Sequence, residues 1–98
     1  MKSEITTNII NWAQLKGILQ NSTPQNQFIK LIEELGELSQ GIQKAKEDDI
    51  KDAIGDCVVV LTILAEMYGM PIDECVWSAY NEIKGRTGTM QNGVFKKD

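Results

Sequence analysis

Two stretches decide the fold: Lys30–Ile42, KLIEELGELSQGI, and Lys51–Ala65, KDAIGDCVVVLTILA. In the first, Leu31, Leu35, Leu38 and Ile42 recur every three or four residues, which predicts an amphipathic helix with one apolar stripe. Phe28 extends that stripe backwards, and the opposite side is polar. In the second, the middle reads CVVVLTILA and is apolar all round, the pattern of a helix buried on every side. Its opening differs. Asp49, Asp52 and Asp56 are three and four residues apart, so they share the face that continues as Val60, Ile63 and Met67. Carboxylates thus occupy the first turns of a stripe that later becomes core.

The first helix brings its own carboxylates to the same region. Glu34 and Glu37 lie within one turn, and Glu34 sits about 40° from Leu38 at ~100° per residue. Glu34 should lean towards the core, whereas Glu33 points further round towards solvent. Burying an unpaired charge is expensive or forces protonation. Two such faces meeting would concentrate four or five carboxylates (Glu34, Glu37, Asp52 and Asp56, with Asp49). A hard divalent cation is the simplest remedy, and oxygen-only ligands select Mg²⁺, Mn²⁺ or Ca²⁺. Gly36, Gly41 and Gly55 stand inside these helices at a cost of about 1 kcal/mol each relative to alanine. Close helix approach near the metal would explain them. The plain alternative is a solvated surface: Glu33 paired with Lys30, and Asp48 and Asp49 favoured by a helix N-terminus.

Working outwards, the spacing predicts four helices. The first covers about Asn8 to Leu19, with Ile9, Trp12, Leu15 and Leu19 as its apolar side. Asn21-Ser22-Thr23-Pro24 breaks the pattern, with Ser22 or Thr23 as a cap and Pro24 in the next first turn. The second helix runs from about Pro24 to Lys46 and the third from about Asp49 to Tyr68, stopped by Gly69 and Pro71. The fourth runs from about Pro71 to Lys84, closed by Gly85. The stretch 86–98 reads as an irregular basic tail. The fold class is all-α, a four-helix bundle in one domain. Three short helices can hardly enclose the third in a monomer of 98 residues, so the expectation is a bundle completed by dimerisation.

Composition narrows the function classes. With 14 acidic against 10 basic residues the net charge is −4, which argues against a nucleic-acid or membrane-surface binder. A phosphorylated small molecule remains open, because a bridging cation reverses the local sign. There is no histidine, which removes zinc spacings and the Ser/Cys–His nucleophile arrangements. The opening MKSEITTN lacks a signal's apolar stretch, and the Cys57–Ala65 run is far short of the roughly 20 residues of a membrane span. The expectation is cytoplasmic residence, with Cys57 and Cys75 as reduced, buried thiols.

The paired segments KLIEELGELSQGI and KDAIGDCVVVLTILA resemble the MazG-type nucleotide pyrophosphohydrolases. That family is marked by EExxE on one helix and ExxD on the next. The first half is complete as Glu33-Glu34-x-x-Glu37. In the second half Asp56 matches the final Asp, but Ala53 stands where the family usually has Glu. The likeness extends from about Trp12 to Phe95 and is nearest to the short single-domain members of phages and Gram-positive bacteria. The ending NEIKGRTGTMQNGVF resembles the basic stretch that closes such domains.

The resemblance implies an all-α dimer, or dimer of dimers, that hydrolyses a nucleoside triphosphate to the monophosphate and pyrophosphate with Mg²⁺ (or Mn²⁺). It implies Glu34, Glu37 and Asp56 as metal ligands, with Asp52 as the substitute for the glutamate missing at Ala53. The cation would lower the pKa of a water that attacks the α-phosphorus. Either this suffices, or a carboxylate acts as base, and Glu33 and Glu37 are the candidates. Lys84, Arg86 and Asn81 are candidates for the triphosphate and sugar. They read equally as an ordinary basic helix end. Lys30 is a further phosphate candidate or a surface ion pair. Trp12 either stacks on a base or packs in the core, and Trp77, Tyr80 and Phe28 read as core or interface. Two other readings remain. One is a phosphoribosyl-ATP or dUTP hydrolase on the same scaffold. The other is a non-catalytic helical dimer that binds a nucleotide or partner, which Ala53 keeps open.

Overall fold

The computed structural model describes residues 2–98. Its elements run α1 (Glu4–Leu15), α2 (Ile18–Asn21), α3 (Pro24–Gln43), α4 (Glu47–Met67), α5 (Ile72–Ile83), β1 (Gly88–Gln91) and β2 (Val94–Lys97). The described residues are mostly helical, with five helices rather than four and a small two-stranded sheet. α3 and α4, joined by three residues, form the main packing pair, and α1 and α5 both lie against α4. The core is correspondingly centred on α4: Ala53, Cys57, Val60, Ile63 and Ala65, with Ile10 and Ala13 from α1. Thr62 is buried in this apolar run because its hydroxyl donates to the Val58 carbonyl one turn back, 2.7 Å away.

The helix boundaries differ from the sequence expectation for local reasons. The first helix starts at Glu4, capped by Ser3, whose hydroxyl accepts from the Thr6 N–H. It ends at Leu15 because Gly17 takes a left-handed conformation (φ 76°) and splits off α2. α1 turns Thr6, Ile10 and Ala13 inwards, not the predicted stripe: Leu15 is 87% exposed and Trp12 47%. Thr6 is satisfied by Asp73 at the start of α5. Its hydroxyl donates to one Asp73 oxygen at 3.1 Å, while the Ser3 N–H donates to the other at 2.7 Å.

α3 stops at Gln43, not Lys46. Ala45 adopts φ 54°, and the Ala45 and Lys46 N–H groups donate back to the Ile42 and Gly41 carbonyls. This is the Schellman closure, with alanine where glycine is usual. Its inward face is centred on Glu34 and Gly41, flanked by Leu31 and Leu38. Phe28, Leu35 and Ile42 are turned out. On α4, Ile54, Val58 and Leu61 are exposed in the single chain, so that helix is not enclosed on every side.

The expected irregular tail is a β-hairpin. Asn92 and Gly93 both take positive φ (53° and 80°), the demand of a two-residue type I′ turn. The register pairs Gln91 with Val94 and Met90 with Phe95. Trp77, Tyr80 and Phe28, expected in a core or interface, are exposed in the chain. Among the described residues no single helix is long and apolar enough to cross a membrane.

Candidate metal centre

The α3–α4 hairpin assembles the site. Among the described residues Glu34 is the one charged side chain of α3 that is buried (6% exposed). The antiparallel return brings Asp56 of α4 beside it, and Glu37 follows one turn later on α3. One carboxylate oxygen from each of Glu34, Glu37 and Asp56 lies within 4.8 Å of the others. These three were the expected ligands by motif. Close approach of the helices is permitted by Gly41, where a Cβ would stand 3.3 Å from Ile50 Cγ1. Gly36 and Gly55 show no such contact, so helix approach within the chain does not account for them.

Lys30 is the only cation paired with the cluster among the described residues. Its ammonium lies 3.3 Å from Glu34 Oε1 and 3.5 Å from Glu33 Oε2. The hydrogen bond and charge of Glu34 hold the Lys30 pKa above its ordinary value. Glu34 Oε2 is buried with no hydrogen-bond partner. A buried carboxylate oxygen without a partner is costly, and a cation beside it would remove that cost. Loss of hydration, then repulsion from Glu34 and Asp52, raises the Asp56 pKa. Burial first, and then Glu34 and Asp56, raise the Cys57 thiol. Cys57 is thus a buried, protonated neighbour, while Cys75 is only half-buried. The donor set is oxygen-only and the unpaired charge is negative, which fits a hard divalent cation.

Asp52 is not one of the clustered three. It lines a crevice of about 290 Å³ that runs from Glu37 and Asp56 past Asp49 and Lys44. Ala53 lines the same crevice and is buried, 3% exposed, so the position where the motif's glutamate would stand offers no carboxylate. Glu33 lies outside the cluster and is exposed, tied to Lys30. On the other side of Asp56 is a second cavity of about 500 Å³ that includes Trp12, Lys30, Glu34 and Asp56. Trp12 therefore borders the acidic centre. The sequence left its environment undecided because the residues that share its cavity come mostly from α3 and α4. Asn81 lines a separate depression with Asp73 and Trp77. Neither it nor Lys84 nor Arg86 lines the two cavities beside the carboxylates. Sequence reasoning missed Ser22, Asn26 and Gln27, which line the Trp12 cavity at the α3 N-terminus; Asn26 and Lys30, spaced i and i+4 before Glu34, were the available signal.

A family model described as the MazG nucleotide pyrophosphohydrolase domain matches residues 22–90, which include the three clustered carboxylates but not Trp12. A protein of Haemophilus phage HP1 (strain HP1c1), an uncharacterized 18.2 kDa protein in the rep-hol intergenic region, is 54% identical over 63 residues. That alignment covers 64% of this chain and 39% of the phage protein, so the chain spans about two-fifths of its relative. No solved structure matches.

Proposed function

Because the chain belongs to the MazG nucleotide pyrophosphohydrolase family, we propose that it hydrolyses a nucleoside or deoxynucleoside triphosphate to the monophosphate and pyrophosphate, with Mg²⁺ (or Mn²⁺) held by Glu34, Glu37 and Asp56. The observation that carries this reading is Glu34. It is a buried carboxylate with one oxygen unpartnered, set beside two further carboxylates. A divalent cation bound there supplies charge neutralisation of phosphate oxygens and lowers the pKa of a bound water.

The chain's own groups divide the remaining work. Lys30 fixes Glu34 through Oε1 and leaves Oε2 free to ligate. Glu37 is exposed on the crevice side, and in a protein without histidine it is the better placed carboxylate to accept a proton from the attacking water. Glu33, held by Lys30 outside the trio, is the weaker choice. Asp52 supports the centre from the crevice, through an intervening water rather than directly. Asn81, Lys84 and Arg86 serve the triphosphate in this reading only across an assembly, since none lines either cavity of its own chain. The exposed apolar side chains of α3 and α4, Leu35, Ile42, Val58 and Leu61, favour a homodimer or dimer of dimers. The role is clearing aberrant nucleotides or adjusting pools in the cytoplasm, with no nucleic-acid or membrane partner.

Ala53 favours a second reading, in which the fourth ligand is missing and the protein binds a nucleotide without turnover. A panel of nucleoside triphosphates, with phosphoribosyl-ATP and dUTP included, assayed with Mg²⁺ for pyrophosphate and monophosphate, separates the two. Stoichiometric monophosphate and pyrophosphate are expected. Nucleotide binding with no turnover of any triphosphate would favour the second reading.

A further inference from the structure

From Ile72 onwards the chain is divided by charge. α5 carries Asp73, Glu74 and Glu82 and no basic residue, a net charge of −3. The segment 84–98 carries Lys84, Arg86, Lys96 and Lys97 against Asp98 alone, a net charge of +3. Asp98 is engaged at the base of the hairpin: the Thr87 hydroxyl donates to its carboxylate at 2.7 Å, and its N–H donates to the Thr87 carbonyl at 3.0 Å. The four cations and Glu74 have no ion pair among the described residues. Both parts also leave apolar surface uncovered. None of the α5 residues is buried. Val76, Trp77, Tyr80 and Ile83 form a stripe at i, i+1, i+4 and i+7, each about half exposed or more. On the hairpin Met90 stands opposite Phe95, so the two share a face, and both are exposed. Lys97, two residues on from Phe95, is on that face too.

The two surfaces are complementary, yet the strands pack chiefly on one another and neither is a main packing partner of α5. All of β2, and all of β1 but Gly88, is exposed. The radius of gyration is 15.8 Å, where about 13 Å is usual for a compact domain of this length. A lone two-stranded hairpin is marginal in water. We infer that the hairpin of one copy docks on α5 of a second copy, and reciprocally. Met90 and Phe95 then cover the Val76–Ile83 stripe, and Lys97 meets the acidic head of α5 at Asp73 and Glu74. Such an exchange closes on itself as a two-fold pair. Trp77 and Tyr80 meet edge to face with centroids 5.9 Å apart, an aromatic surface that suits a thioether and a phenyl ring. Six large side chains with roughly 100 Å² exposed on each come near the ~800 Å² per partner of a standard interface. The Asn92-Gly93 turn and the Thr87–Asp98 clasp preform the hairpin, so docking has little left to order. This contact is separate from the exposed apolar side chains of α3 and α4.

Analytical ultracentrifugation of the full chain tests the exchange without any assay of turnover. Val76→Asp, at a position that one chain leaves exposed, should halve the sedimenting mass with an unchanged circular dichroism spectrum. Lys97→Glu and Glu74→Lys each set like charges against one another twice in a reciprocal pair. Each should raise the dissociation constant about tenfold. An equimolar mixture of these two variants should recover the wild-type constant, because the reversed arm of one then meets the reversed α5 of the other. A hairpin that closed on α5 of its own chain could show no such recovery. A mass unchanged by Val76→Asp and by both reversals would overturn the inference. So would a mixture that associates no more tightly than its components.

Discussion

Glu34 and Ala53 set the chemistry at the scale of single residues. Glu34 was legible in the sequence because its helical angle placed it beside Leu38. Its orphaned Oε2 was not legible, since that depends on which groups α4 brings opposite. Ala53 was legible as a departure from the motif, and its burial in the crevice gives the departure a physical form. If Asp52 supports the centre through water, Asp52→Asn should weaken apparent Mg²⁺ affinity about tenfold, and Glu37→Gln should weaken it more. Calorimetric titration of each protein with Mg²⁺ checks the order, and an Asp52→Asn isotherm that overlays the wild type would remove Asp52 from the site.

Asp56 supplies a pH prediction at the same scale. Its pKa is raised in the fold, so the folded chain holds that proton more tightly than the unfolded chain. The metal-free protein should therefore gain stability from this group as pH falls through the folded pKa towards the ordinary aspartate value. It should lose that contribution as pH rises. Thermal unfolding in EDTA should show the gain in the wild type and a smaller one in Asp56→Asn. A wild-type profile identical to that of Asp56→Asn would contradict the shift.

Among elements, the α3–α4 hairpin was read correctly as two long helices with acidic faces meeting, because period and charge agreed there. Its turn was read three residues too late. The polar run after Gln43 looks helix-compatible, and only the left-handed Ala45 shows where the chain closes. That conformation is disfavoured for a residue with a Cβ, so Ala45→Gly should raise stability by about 0.5–1 kcal/mol. Chemical denaturation measures it, and no gain would mean the turn relaxes at no cost. The apolar stripes failed for a related reason. Leu15, Phe28, Leu35 and Ile42 have the right spacing but lie off the faces that α4 contacts. The hairpin at Gly88–Lys97 was missed although Asn92-Gly93 signals it, because the flanking strands are only four residues long.

For the whole molecule, one chain leaves Ile54, Val58 and Leu61 of α4 and Leu35 of α3 open to solvent. A second copy covering them is the expectation. Sedimentation at micromolar concentration should give a dimer or tetramer, and Val58→Asp should shift it towards monomer. A stable wild-type monomer would contradict that reading. The family was legible from two motifs.

The most direct test is pyrophosphate release by wild type and Glu37→Gln side by side, with Mg²⁺ and the best substrate of the panel. The account predicts steady release by the wild type and none by the variant, with matching circular dichroism spectra. Equal rates from both proteins would contradict it, because Glu37 would then stand outside the metal centre.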